Sequence, residues 1–76
     1  MQDLPIDEFA TSLEAMTEDE IFMTMMELEK RSEKTEGDEQ EEVLARIALT
    51  EEAIEQRFPG QALAPYRTWK QNQPLL

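Results

Sequence analysis

The sequence predicts an all-α protein: an antiparallel helical hairpin with short flanking N- and C-terminal helices, packed as a small bundle, alone or as a homodimer. Three observations carry that expectation. Apolar residues recur at three- and four-residue spacing across residues 6–58, the period of one helical face. Helix-start and helix-stop residues divide that pattern into segments of helical length. No segment shows the alternating apolar and polar residues of a strand.

The first helix is expected over residues 5–15. Pro5 suits a first turn, where its missing N–H removes a donor that would have no helical partner. Asp7 and Glu8 place negative charge at the positive end of the helix dipole, and Ile6, Phe9, Leu13 and Met16 line one side. Thr17-Glu18-Asp19-Glu20 then reads as a capping box, with the threonine hydroxyl serving the third backbone N–H and Glu20 reaching back. The second helix is expected over residues 18–35, closed by Gly37 as a left-handed cap. Lys30, Arg31 and Lys34 lie toward its negative end. Ile21, Met25 and Leu28 form its stripe, and Phe22, Met23 and Met26 widen that stripe beyond what a simple two-helix contact requires.

Asp38 is expected to cap a third helix running to Arg57, with acids again in its first turn. Its apolar face reads as Val43, Leu44, Ile47, Ile54 and Phe58, interrupted by Thr50 and Glu51. Pro59-Gly60 ends it by removing a donor and supplying a flexible residue. Pro65 starts a short fourth helix with Leu63, Tyr66 and Trp69 on one side, and the chain beyond Lys70 reads as a loose end. The hairpin core is therefore expected to be Ile21, Met25, Leu28, Leu44, Ile47 and Ile54.

Charge divides the chain differently. All 18 acidic residues fall within residues 1–60, against five basic ones, while residues 61–76 carry only Arg67 and Lys70 together with the sole tyrosine and tryptophan. Residues 1–60 are thus an acidic body, and residues 61–76 a basic, aromatic segment expected to pack on it. A formal charge of −11 on 76 residues repels phosphate backbones and favours basic surfaces, which excludes direct nucleic-acid binding. A chain this short buries a limited core. It has neither cysteine nor histidine for a disulfide or a zinc site. The opening run, with Asp3, Asp7 and Glu8, is unlike a signal peptide. No apolar run approaches the roughly 20 residues of a membrane span, so a cytoplasmic protein that does not enter membranes is expected.

Catalysis has little to build on. There is no histidine or cysteine, Ser12 and Ser32 lie in helical patterns without a glycine-rich turn, a carboxylate pair would need a cleft, and no cofactor motif is present. The acid clusters at 18–20 and 38–42 lack the alternating ligands, internal glycine and distal glutamate of a calcium loop, and helix-start chemistry accounts for both. No catalytic, cofactor or metal site is expected. The candidate partner-binding residues are Phe22, Met23, Met26, Tyr66, Arg67 and Trp69. The methionines and Phe22 suit an adaptable surface as well as a core. Helical angles place Met23 and Met26 off the face shared by Ile21, Phe22, Met25 and Leu28. Tyr66, Arg67 and Trp69 suit an interface, and the two rings suit equally a cover over the hairpin, the arrangement expected here because so small a core needs its aromatic residues.

The run Thr17-Glu18-Asp19-Glu20-Ile21-Phe22, continuing to Glu27-Leu28-Glu29-Lys30, resembles the first helix of the nuclease-colicin immunity proteins, small acidic bundles that neutralise a basic nuclease. It covers about 14 residues. That family's short third helix with paired tyrosines has no counterpart, because Pro59-Gly60 leads directly into Gln61-Ala62-Leu63. A capping box before an acidic amphipathic helix is common, so the chain is not assigned to that family. What the resemblance implies is a mechanism class, an acidic inhibitor of a basic target. The expected function is accordingly a small non-enzymatic regulator or adaptor that docks a basic patch of a protein partner. The alternatives are a structural protein that uses its apolar face for self-association, or a nucleic-acid mimic that blocks a DNA- or RNA-binding protein.

Overall fold

The computed structural model describes residues 4–73, so the expectation of a loose end from Pro74 onward lies outside the described residues. Four helices are present: α1 (Ile6–Ala15), α2 (Glu18–Ser32), α3 (Gly37–Arg57) and α4 (Ala64–Gln71). The described residues contain no strand. The molecule measures 31 × 27 × 21 Å. A 21-residue helix such as α3 rises about 31 Å, so α3 sets the long axis and the other helices fold against it rather than extending it. No helix among the described residues is long and apolar enough to cross a membrane.

Local chemistry places the helix starts. The capping box forms: Thr17 N–H donates to Glu20 Oε1 at 2.8 Å, and Glu20 N–H donates to Thr17 Oγ1 at 3.2 Å. Pro65 occupies the first turn of α4. The turn between α2 and α3 departs from expectation. α2 stops at Ser32, with Lys34 N–H donating to Arg31 O at 2.9 Å. Gly37 is the first residue of α3 rather than a cap of α2, and its φ of +64° makes the left-handed corner that turns the chain into α3. Glu36, not Asp38, is the N-cap, without a side-chain bond. Asp38 instead lies in the first turn, where its charge still faces the positive end of the dipole.

α2 makes its most extensive contact with α3, and α1 and α4 add smaller ones. The core comprises Phe9 and Leu13 of α1, Ile21, Phe22, Met25, Met26 and Leu28 of α2, Val43 and Ile54 of α3, and Tyr66 of α4. Two core expectations fail on α3. Leu44 is 49% exposed, and Ile47 is only partly buried. Their places are taken by Arg46 and Thr50, the latter completely buried. Thr50 is tolerated because its hydroxyl donates back to Arg46 O at 2.8 Å, which leaves its methyl group to pack.

α1 explains why the buried face of α3 turns toward Arg46. The guanidinium lies 5.8 Å from the centre of the Phe9 ring and donates to Leu4 O at 2.7 Å and to Glu42 O at 3.3 Å. Arg57 donates to Leu13 O at 2.9 Å. Two arginines of α3 thus hold the backbone at both ends of α1. This placement leaves Ile6 45% exposed, although its spacing assigns it to the apolar face.

Candidate protein-binding surface

The six candidate residues separate into two environments. Phe22, Met26 and Tyr66 are buried in the core, at 4%, 4% and 3% exposure. The expectation that Met26 lies off the packed face is therefore incorrect. α2 packs against both α3 and α4, so its buried arc reaches from Leu28 round to Met26, wider than one partner helix would produce. Met23 and Arg67 are exposed, and Trp69 is half-buried.

The aromatic residues form one cluster. Phe22 lies 5.9 Å from Phe58, 5.9 Å from Tyr66 and 5.7 Å from Trp69 between ring centres, and Tyr66 stacks on Trp69 at 6.2 Å. These separations are the favourable range for aromatic pairs. Polar contacts hold α4 in place over α2. Trp69 Nε1 donates to Asp19 Oδ1 at 3.1 Å, Tyr66 Oη donates to Glu29 Oε1, and Lys70 Nζ lies 3.4 Å from the same Glu29 oxygen. Lys70 also lies 5.8 Å from the Tyr66 ring centre. Burial, together with the hydrogen bond to Glu29 and the charge of Glu29, pushes the Tyr66 hydroxyl well above its usual pKa. Glu29 falls at the centre of the arc between Leu28 and Met26, an acid within an apolar face. Its position three residues from Met26 was the signal in the sequence, and it becomes meaningful only once α4 is in place.

What remains open is the outer edge of α2 near its start. Met23 is 40% exposed. With Met16, Asp19, Glu20 and Thr24 it lines a shallow groove of about 390 Å³. Thr24 Oγ1 donates to Glu20 O at 2.8 Å and lies 3.5 Å from Met16 Sδ, which fixes the thioether at the groove wall. The carboxyl of Glu20 is held below its usual pKa, first by the Thr17 backbone N–H and then by the Thr17 hydroxyl. Asp19 is oriented by the Trp69 indole. Two deformable thioethers beside two positioned carboxylates suit an apolar side chain flanked by cations. Of this set, the sequence expectation had only Met23. Met16 and Met23 are seven residues apart across a helix break, and only the angle between α1 and α2 places them together. The described residues contain no cluster of acids able to hold a metal ion. No protein-family model, curated protein or solved structure matches this chain.

Proposed function

We propose that this protein is a non-enzymatic regulator or adaptor that docks a basic, partly apolar patch of a protein partner into the Met16–Met23 groove. The observation that carries the proposal is the exposed Met23 beside Asp19 and Glu20, in a chain with a formal charge of −11. Opposite charge accelerates encounter and rejects acidic competitors, while the methionines adapt to the docked side chain. An antiparallel pairing of α2 and α3 would supply the rigid base. It is supported by Gln40 Nε2 donating to Ser32 O at 3.2 Å at one end, and by the Phe22–Phe58 stack at the other. The proposal keeps the cytoplasmic setting expected from the sequence.

Capture from a native extract at low and high salt tests this, with Met23→Ser beside the unaltered chain. A protein retained at low salt, released as salt rises and lost with Met23→Ser is the expected result. No partner at either salt would overturn it.

Self-association has one observation in its favour, the 49% exposure of Leu44 on α3. A strict monomer in light scattering across a concentration series removes that alternative.

A further inference from the structure

The end of the bundle built from the start of α1 and the first turns of α3 has features that the Met16–Met23 groove does not explain. Pro5, Ile6, Asp38, Glu41, Glu42 and Ala45, with Arg46, line a groove of about 480 Å³. Asp38, Glu41, Glu42 and Ala45 follow the spacing of one face of α3, and all four are exposed. Helix-start electrostatics accounts for the acids. It does not account for Leu4 and Ile6, exposed by 46% and 45% beside them.

These apolar residues are held rather than left to fray. Arg46, itself only 7% exposed, donates to Leu4 O at 2.7 Å. Burying a cation is costly unless its donors are bonded, and here that buried group fixes an exposed apolar wall against a row of carboxylates. A second copy of the chain is a poor occupant, because it would bring a chain of net charge −11 against three carboxylates. Nucleic acid is excluded on the same ground.

We infer that this groove docks a cationic, amphipathic segment of a protein. An apolar side chain of that segment rests on Pro5, Ile6 and Ala45, and a neighbouring lysine or arginine meets Asp38, Glu41 and Glu42. The site is separate from the Met16–Met23 groove and stands whether or not that groove binds a partner.

The test uses the full chain, isotopically labelled, and a helical peptide of leucine and lysine as the probe. Spermine serves as the purely cationic control. The expected result is that the peptide shifts the backbone amides of residues 6 and 38–46, and that Ile6→Ser and Glu41→Gln each weaken binding by about tenfold. Both residues are exposed, so neither variant is expected to disturb the fold. Met23→Ser should leave these shifts unchanged. Shifts that spermine reproduces in full, or that survive Ile6→Ser unweakened, would reduce the site to unspecific charge and overturn the inference. Shifts confined to residues 16–24 and lost with Met23→Ser would also overturn it, while leaving the function proposed above standing. Absence of any peptide binding would overturn the inference and leave the function proposed above to its own capture test.

Discussion

Arg46 Nη2 lies 2.7 Å from the carbonyl oxygen of Leu4, 42 residues earlier in the chain. Together with the bond from Arg57 to Leu13, it fixes both ends of α1 along α3. α1 therefore runs in the same direction as α3, and its Phe9 and Leu13 are brought into the core. The N-terminal helix depends on two long side chains of α3 as much as on its own apolar stripe.

Arg46→Met should separate local from global stability. The methionine keeps most of the stem volume and relieves a buried charge, whereas Leu4 is exposed enough for its carbonyl to regain water. Global unfolding should change by less than about 1 kcal/mol. Hydrogen exchange at the amides of Phe9 and Ala10 should nevertheless accelerate, because the start of α1 is no longer held. Unaltered exchange there would show that Phe9 packing alone secures the helix.

The buried face of α3 and its relation to α2 can be checked by a matched pair of truncations. Leu28→Ala and Ile54→Ala remove fully packed side chains and should each cost about 2–5 kcal/mol in denaturant unfolding. Leu44→Ala should stay within about 0.5 kcal/mol, since its side chain is half in solvent. A large loss at Leu44 in dilute protein would show that it is covered in solution.

Tyr66 links stability to alkaline pH. Its folded pKa is raised above the ordinary value of 10.0, so the neutral hydroxyl is the form favoured by folding. The stability it contributes is complete below pH 10 and declines as pH rises through the elevated folded value. Unfolding midpoints should therefore fall above pH 10. Tyr66→Phe should cost about 1 kcal/mol at neutral pH, through the bond to Glu29, and should flatten the alkaline decline. Trp69 emission, blue-shifted while the ring stacks on Tyr66 and Phe22, should move to the red along with unfolding. An alkaline decline identical in both proteins would rule out Tyr66 as its source.

Glu20 contributes at the acid end. Its pKa is lowered from 4.5 by the Thr17 backbone N–H and hydroxyl, so its contribution is present above pH 4.5 and is lost as pH falls through the lower folded value. Glu20→Gln should remove that part of the acid sensitivity and lower neutral stability slightly toward its acid value, because the amide oxygen still accepts from Thr17 N–H but the charge favoured by folding is gone. A chemical-shift titration showing Glu20 at an ordinary carboxylate pKa would contradict this assignment.

The sequence by itself determined the four helices, the capping box at Thr17 and Glu20, the breaks at 16–17 and 59–60, and most of the buried face of α2. These are short-range properties, set by backbone donors near helix ends and by the period of apolar residues, so a linear chain carries them. It also determined the acidic character on which the functional proposal rests. Tertiary structure decided which side of α3 is buried. Leucine at 44 and isoleucine at 47 outrank threonine at 50 and arginine at 46 in hydrophobicity, yet the position of α1 and the back-bonded hydroxyl of Thr50 reverse that order. It also decided that Met26 is interior, because α4 covers a part of α2 that a two-helix hairpin would leave open. Met16, just beyond the end of α1, joins Met23 for a different reason: the chain breaks from one helix to the next between them, and whether two side chains on either side of a break share a groove depends on the angle between the helices, which no local spacing encodes.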